Sequence, residues 1–478
     1  MLELSFATPG ISHQMADPES PVAGTMADRR RTVEDADALS PVFSGWSLAI
    51  LVTITCLVTW TTIERFMDPV SEKYVKALLP GSADFFFPFG GARALLLGEN
   101  PYLNEIPGLE DPWDRQYGRV GGKQYRGLYP PTHFLLYLPL AMITDDWRKA
   151  GRILFVLNLA VLALLAVITW KVVARIGSPG MMERHIAVPF VLLYFVILTT
   201  NVGTSLGLER GDGGDIWATA LCWSAVVLSL QRRWFLAMFL LVPAMFTKGN
   251  PVWFGLGLGL LGLTRRTWVS VVGGALAGLI VFLAPVARYI PESLTLLANY
   301  PGIVGNSFWW NHGFGNVFLH VSPGLADVGR WTLIVYCALL AMICWVKARQ
   351  ALHENSSVNQ VLWVVLFTTC SIEIMLGSPK TSIVYNLVLV MPGMLILFAV
   401  GPTFCRACGL PAWAKHLIGA LNLAAAFLVF KFILFDWAGF PSAGIGMILF
   451  LLTIGMAMSW GWWRARRPIA QESGNGVG

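Results

Sequence analysis

The chain has 478 residues, 55% of them hydrophobic and only 13% charged, and carries a net charge of +6 at a mean hydropathy of +0.61. A soluble domain carries about 25% charged residues, so a water-soluble globule, a secreted domain, a coiled coil and a disordered scaffold are all excluded in favour of a polytopic membrane protein. The basic excess punctuates apolar blocks, so it reads as membrane topology rather than as affinity for nucleic acid.

In chain order, residues 1–40 form a polar tail without apolar periodicity, and no signal-peptide h-region precedes Phe43. Arg29, Arg30 and Arg31 place this tail in the cytoplasm. About thirteen apolar stretches follow, near 43–61, 128–143, 152–173, 186–204, 215–230, 234–248, 252–263, 268–287, 331–346, 360–376, 382–400, 416–435 and 443–460. They are set against a requirement of about 20 residues per crossing.

The basic pairs Arg232-Arg233, Arg265-Arg266, Lys347/Arg349 and Arg406/Lys415, together with Arg464, Arg466 and Arg467, mark the inner side. The segments 62–127, 205–214, 288–330 and 377–381 then fall outside. Thirteen crossings would put the basic C-terminus outside, so the Pro-rich 128–143 stretch is expected to be re-entrant or interfacial, leaving about 12 helices. The division is a disordered cytoplasmic tail 1–40, a membrane domain 41–465 with long outer loops 62–127 and 288–330, and a cytoplasmic tail 466–478. The cysteines lie in apolar blocks or a basic loop, so no disulfide framework is expected.

The polar residues of interest gather on the outer side. Arg93 to Leu97 reads as a helical turn stopped by Gly98-Glu99-Asn100-Pro101. Asp84 precedes it, either as a helix N-cap or as a surface carboxylate able to act as general base. Lys248 sits between Phe246 and Pro251 at membrane depth, where it either snorkels to the interface or meets an anion. Glu209 and Arg210 precede a membrane helix for which Asp212 or Asp215 is the expected N-cap. His312, next to Trp309 and Trp310, is either a backbone-bonded loop histidine or a phosphate and proton-transfer group. Gly257, Gly259 and Gly262 match a dinucleotide fingerprint by spacing, but inside an apolar stretch they read as helix packing, as do Gly274 and Gly278.

Five segments carry a resemblance: ARALLLGENPY (92–102) with YPPTHFLLYLPLAMI (129–143), Glu209 to Asp212, RRWFLAMFLLVPAMFTKGNP (232–251), Asn311 to Asn316, and Ser378 to Asn386. Taken in this order, over residues 43 to 400, the chain resembles glycosyltransferase family 87. That family comprises polyprenyl-phosphate-sugar-dependent transferases of the GT-C fold, mannosyltransferases among them. Gly211 to Asp215 (GDGGD) and the tail 1–40 depart from the family's pattern.

The resemblance implies an all-α GT-C bundle in the bacterial inner membrane, with an extracytoplasmic site. It makes Asp84 the catalytic base, with His312 beside it. Lys248, Lys380, Arg210, Glu209, Tyr129 and Arg126 are the residues expected to bind donor phosphate or substrate. The partners implied are a polyprenyl-phosphate sugar, a lipid or glycan acceptor and membrane lipids, with no nucleic acid. Neither a metal nor another cofactor is called for. A transporter or flippase of a lipid-linked sugar is the alternative class, but such proteins place charge at the midplane and often show internal repeats.

Overall fold

The computed structural model describes residues 83–102, 129–176, 184–201, 204, 208, 213–248, 252–299, 313–319, 321–353, 357–377, 384–430 and 442–466. Every described element belongs to the compact unit Leu48–Gly478. The tail 1–40, the first apolar stretch and the tail beyond 466 lie outside the described residues.

The apolar stretches become helices because a backbone in hydrocarbon must satisfy its polar groups internally. α1 spans Ala83–Leu96, α2 Pro131–Ile143, α3 Trp147–Ile176, α4 Arg184–Thr200, α5 Gly213–Leu230, α6 Trp234–Lys248 and α7 Val252–Gly262. α8, Trp268–Gly278, runs on through a π turn and a 3-10 turn into α9, Ile290–Asn299. Then come α10 Phe314–Leu319, α11 Ala326–His353, α12 Ser357–Gly377, α13 Met391–Ala399, α14 Gly401–Ala407, α15 Ala412–Phe430 and α16 Ser442–Arg466. Among the described residues there is no strand, and six helices are long and apolar enough to cross a membrane. The chain is an all-α multi-pass membrane protein.

Three expectations are revised. α1 begins ten residues before Arg93, so Asp84 lies inside its first turn and does not cap a later one. Pro88 lies inside α1, past its first turn, so residue 88 offers the carbonyl of Asp84 no amide hydrogen. Asp215 likewise sits inside the first turn of α5 and is buried, rather than standing ahead of it as a cap. The 288–330 segment is largely helical where described: the helix passes residue 287 in a 3-10 turn that holds Pro285 and goes on into α9, whose second residue is Pro291.

Glycines set the closest approaches. α6 and α7 are antiparallel, with Gly255, Gly259 and Gly262 facing Met245, Met238 and Trp234. A Cβ on Gly274 would collide with the carbonyl of Phe235, and one on Gly278 would lie 2.8 Å from Val242. α8 therefore runs parallel to α6 at backbone contact, the small-residue packing expected in lipid.

α2 lies across one end of the bundle. Its Thr132 hydroxyl donates to the carbonyl of Phe246 near the end of α6, while Tyr137 meets Gly213, the first residue of α5. α5 and α6 are joined by a tight turn at 231–233, so the start of one and the end of the other share an end of the bundle. α3 begins four residues after α2 and runs parallel to α5, with Asn158 accepting the indole N–H of Trp217 at 2.7 Å.

Candidate functional site

α2 is the hub on which segments from α1, α5 and α6 converge. Pro131 opens the helix at its first position, where the missing amide hydrogen is not needed. Tyr129, His133 and Tyr137 then follow at one-turn spacing: the first two rings stack with centroids 4.8 Å apart, and the His133 and Tyr137 rings meet tilted at 5.4 Å. His133 is wholly buried.

α1 packs along this helix. Phe85 and Phe89 join Tyr137 and Leu154 in one apolar cluster, and Phe87 joins Phe134, Tyr102 and Tyr129 in another. The Phe85 ring stands 6.0 Å from that of Tyr137, so the start of α1, and with it the backbone of Asp84, adjoins Tyr137. The Tyr137 hydroxyl accepts the amide hydrogen of Gly213 at 3.1 Å. That bond holds the start of α5, the residue directly after Glu209–Asp212, against the same side chain. The Thr132 bond to Phe246 brings in the end of α6, which carries Lys248. The starts of α1 and α5 and the end of α6 are thus gathered on about two turns of α2.

The Gly98 to Tyr102 segment locks the other end of α1. Gly98 takes φ +76° and its amide bonds Leu95, while Glu99 bonds back to Ala94 at 2.8 Å. This is a Schellman stop, and the positive φ is why glycine is required. Asn100 accepts the Tyr102 amide at 3.0 Å and donates to Glu292 of α9 at 2.6 Å. The Tyr289 hydroxyl donates to the carbonyl of Glu99 at 3.2 Å, and Arg93 to that of Ala141 at 3.2 Å. The Tyr102 hydroxyl donates to the carbonyl of Tyr129 at 2.9 Å, pinning together the two ends of segment 103–128. Burial pushes the Tyr102 phenol well above its ordinary value, so it remains a donor.

A second pair of segments meets nearby in the chain's topology. The ring of Phe314 fills the space that a side chain on Gly377 would take. The start of α10, just after His312, is therefore packed on the end of α12, just before Lys380.

Of the residues singled out in the sequence, Tyr129 is described in full and is buried within the aromatic stack. Asp84 and Lys248 are described as helix backbone only. Arg126, Glu209, Arg210, Asp212, Trp309, Trp310, His312 and Lys380 lie outside the described residues. The sequence reading passed over Glu373 on α12, which is wholly buried and whose carboxylate oxygens have no hydrogen-bond partner among the described residues. Its signal was legible, since it is the one charged residue in the 360–376 apolar stretch. No group of His, Cys, Asp and Glu suited to a metal occurs among the described residues.

Comparison with known proteins bears on the segments from α2 to α12. No curated protein and no solved structure gives a significant match. The model of glycosyltransferase family 87 matches residues 128–379, from the turn before α2 to just past the end of α12. With more than half of the chain so matched, and with a helical membrane bundle bearing these segments, the chain belongs to glycosyltransferase family 87 and is a membrane glycosyltransferase.

Proposed function

We propose that the protein transfers a sugar, mannose, from a polyprenyl-phosphate donor to a lipid or glycan acceptor on the extracytoplasmic face of a bacterial cell membrane, with inversion. The observation that carries this reading is the convergence of the starts of α1 and α5 and the end of α6 on α2. Phe85, Gly213 and Phe246, which lie near Asp84, Glu209–Arg210 and Lys248 in the sequence, stand at one end of the bundle and support this reading.

In this mechanism Asp84 takes the proton of the acceptor hydroxyl as its oxygen attacks the anomeric carbon. The bond from that carbon to the phosphate oxygen breaks, and polyprenyl phosphate leaves with the electron pair. Lys248, Arg210, Lys380 and Arg126 oppose the charge that grows on the phosphate, and cations aimed at developing charge stabilise a transition state most where water is excluded. His312 donates a hydrogen bond to the same phosphate, Glu209 orients the sugar hydroxyls, and Tyr129 shapes the wall of the donor pocket.

The test is transfer by purified, reconstituted protein given radiolabelled polyprenyl-phosphate mannose and a membrane-lipid extract, wild type beside Asp84→Asn. A new labelled glycolipid from wild type alone, with both proteins equally folded, is the expected result. Equal transfer by the two removes Asp84 as base. Transport of the labelled lipid across the vesicle without any transfer would replace the enzyme reading by the flippase one.

A further inference from the structure

At the end of the bundle remote from α2, a trough of about 850 Å³ opens between α11, α12, α14 and α16. Its floor is apolar, built from Tyr336, Leu340 and Ile343 of α11, Trp363 of α12 and Met458 of α16. Glycines bring α16 close enough to form it. A Cβ on Gly455 would strike the Tyr336 hydroxyl, and one on Gly461 would lie 2.6 Å from the carbonyl of Cys408. The Tyr336 hydroxyl donates to the carbonyl of Leu451 at 3.3 Å, fixing that ring as part of the floor.

The trough changes character at one end. Lys347 and Arg406 line it there. Lys347, Trp363 and Ala407 are shared with a second hollow of about 200 Å³ that adds Gln350 and Asn359. No carboxylate lines either hollow among the described residues. Along α11, Tyr336 to Lys347 spans eleven residues, or about 16 Å at 1.5 Å per residue. One leaflet of a bilayer has about 15 Å of hydrocarbon, half of the ~30 Å core. The apolar floor therefore has the length of one leaflet, and the cations stand at the level of its head groups.

Which leaflet follows from the chain. α9 is tied to Asn100 at the α2 end. The stretch between Asn299 and Ala326 has no apolar run long enough to cross a bilayer, so α11 starts at that same end. Its 28 residues carry Lys347 to the opposite end, where Arg232, Arg233, Arg265 and Arg266 also fall. By the positive-inside rule this is the cytoplasmic leaflet, which is the anionic one.

We propose that this trough binds one anionic glycerophospholipid of that leaflet, at a site separate from the transfer site. An acyl chain lies on the Tyr336–Met458 floor, the phosphate sits between Lys347 and Arg406, and the rest of the head group reaches Gln350 and Asn359. The chain's own adjoining segment is a poor occupant, since Arg464, Arg466 and Arg467 would bring like charge to the two cations. The sugar donor is assigned to the opposite end of the bundle.

The experiment is native mass spectrometry of the purified full chain with equal amounts of phosphatidylglycerol, phosphatidylcholine and polyprenyl phosphate. One retained phosphatidylglycerol per chain is expected on the wild type. The double variant Lys347→Gln/Arg406→Gln is expected to lose it by about thirtyfold, the factor two interfacial cations together supply. Its phosphatidylcholine retention and thermal unfolding should be unchanged. The proposal is overturned if the double variant retains phosphatidylglycerol as wild type does, if wild type holds both phospholipids equally, or if polyprenyl phosphate displaces phosphatidylglycerol from the trough.

Discussion

The α6–α8 face and the α1–α2 face pack by opposite means. Between α6 and α8 the side chains are removed, and Gly274 and Gly278 let backbone lie against backbone. Between α1 and α2 the side chains are large and aromatic, and their hydroxyls reach backbone groups far along the chain, as Tyr137 does to Gly213 and Tyr102 to Tyr129. A glycine contact holds two helices together but says nothing about which loop stands where. A hydroxyl-to-backbone tie aims a particular segment. The first kind of packing makes a stable bundle, and the second fixes where particular segments stand on it.

That contrast can be broken by substitutions that separate activity from stability. Asp84→Asn, on the tied face, should lower the transfer rate by about 10²–10⁴-fold, the range for loss of a general base, while thermal unfolding in detergent stays at the wild-type midpoint. Gly274→Leu, on the glycine face, should do the reverse. Forcing α8 off the Phe235 carbonyl costs about 1–3 kcal/mol as overpacking does, read as an earlier unfolding midpoint with near-normal kcat in the fraction that stays folded.

Tyr137→Phe sharpens the comparison, because it keeps the ring and removes the acceptor of the Gly213 amide. A buried donor left unmade costs about 1–3 kcal/mol, and the loosened start of α5 should raise KM for the donor more than it lowers kcat. Tyr102→Phe is the mildest. It loses the bond to the Tyr129 carbonyl, worth about 1 kcal/mol, together with the contact to the Ser293 side chain, and should show as faster protease cleavage within 103–128 at near wild-type global stability. Since burial raises the Tyr102 phenol above its ordinary 10.0, the bond is fully present below that pH. It is lost only as pH climbs through the higher folded value, so wild-type protection should be flat from neutral to mildly alkaline pH.

Most helices were legible because each is a long apolar block between charges. α6 was expected at 234–248 and spans Trp234–Lys248. What the sequence hid were features without a hydrophobic period. α1 starts in a run of Phe with an internal Pro and two glycines, a composition that suits several structures equally. The continuation of α8 into α9 passes Pro285, Arg288 and Pro291, ordinarily stop signals, because π and 3-10 turns absorb them. For the site, the segments and their order were readable one by one. Their meeting on α2 was not, since it depends on bonds such as Tyr137 to Gly213 that join residues 76 apart. Glu373 was missed for another reason: attention went to charges between helices, and it lies within one.

The Tyr102–Tyr129 bond has a consequence for the length of chain between those two residues. Tyr102 and Tyr129 are pinned to each other and packed with Phe134 of α2, so the chain enters and leaves residues 103–128 at one point. Closing a loop of twice the length costs only about 0.6 kcal/mol more, less than the pinning bond itself supplies. A change of length between Tyr102 and Tyr129 should therefore leave the thermal unfolding of the membrane helices near the wild-type midpoint, whatever it does to transfer through Arg126.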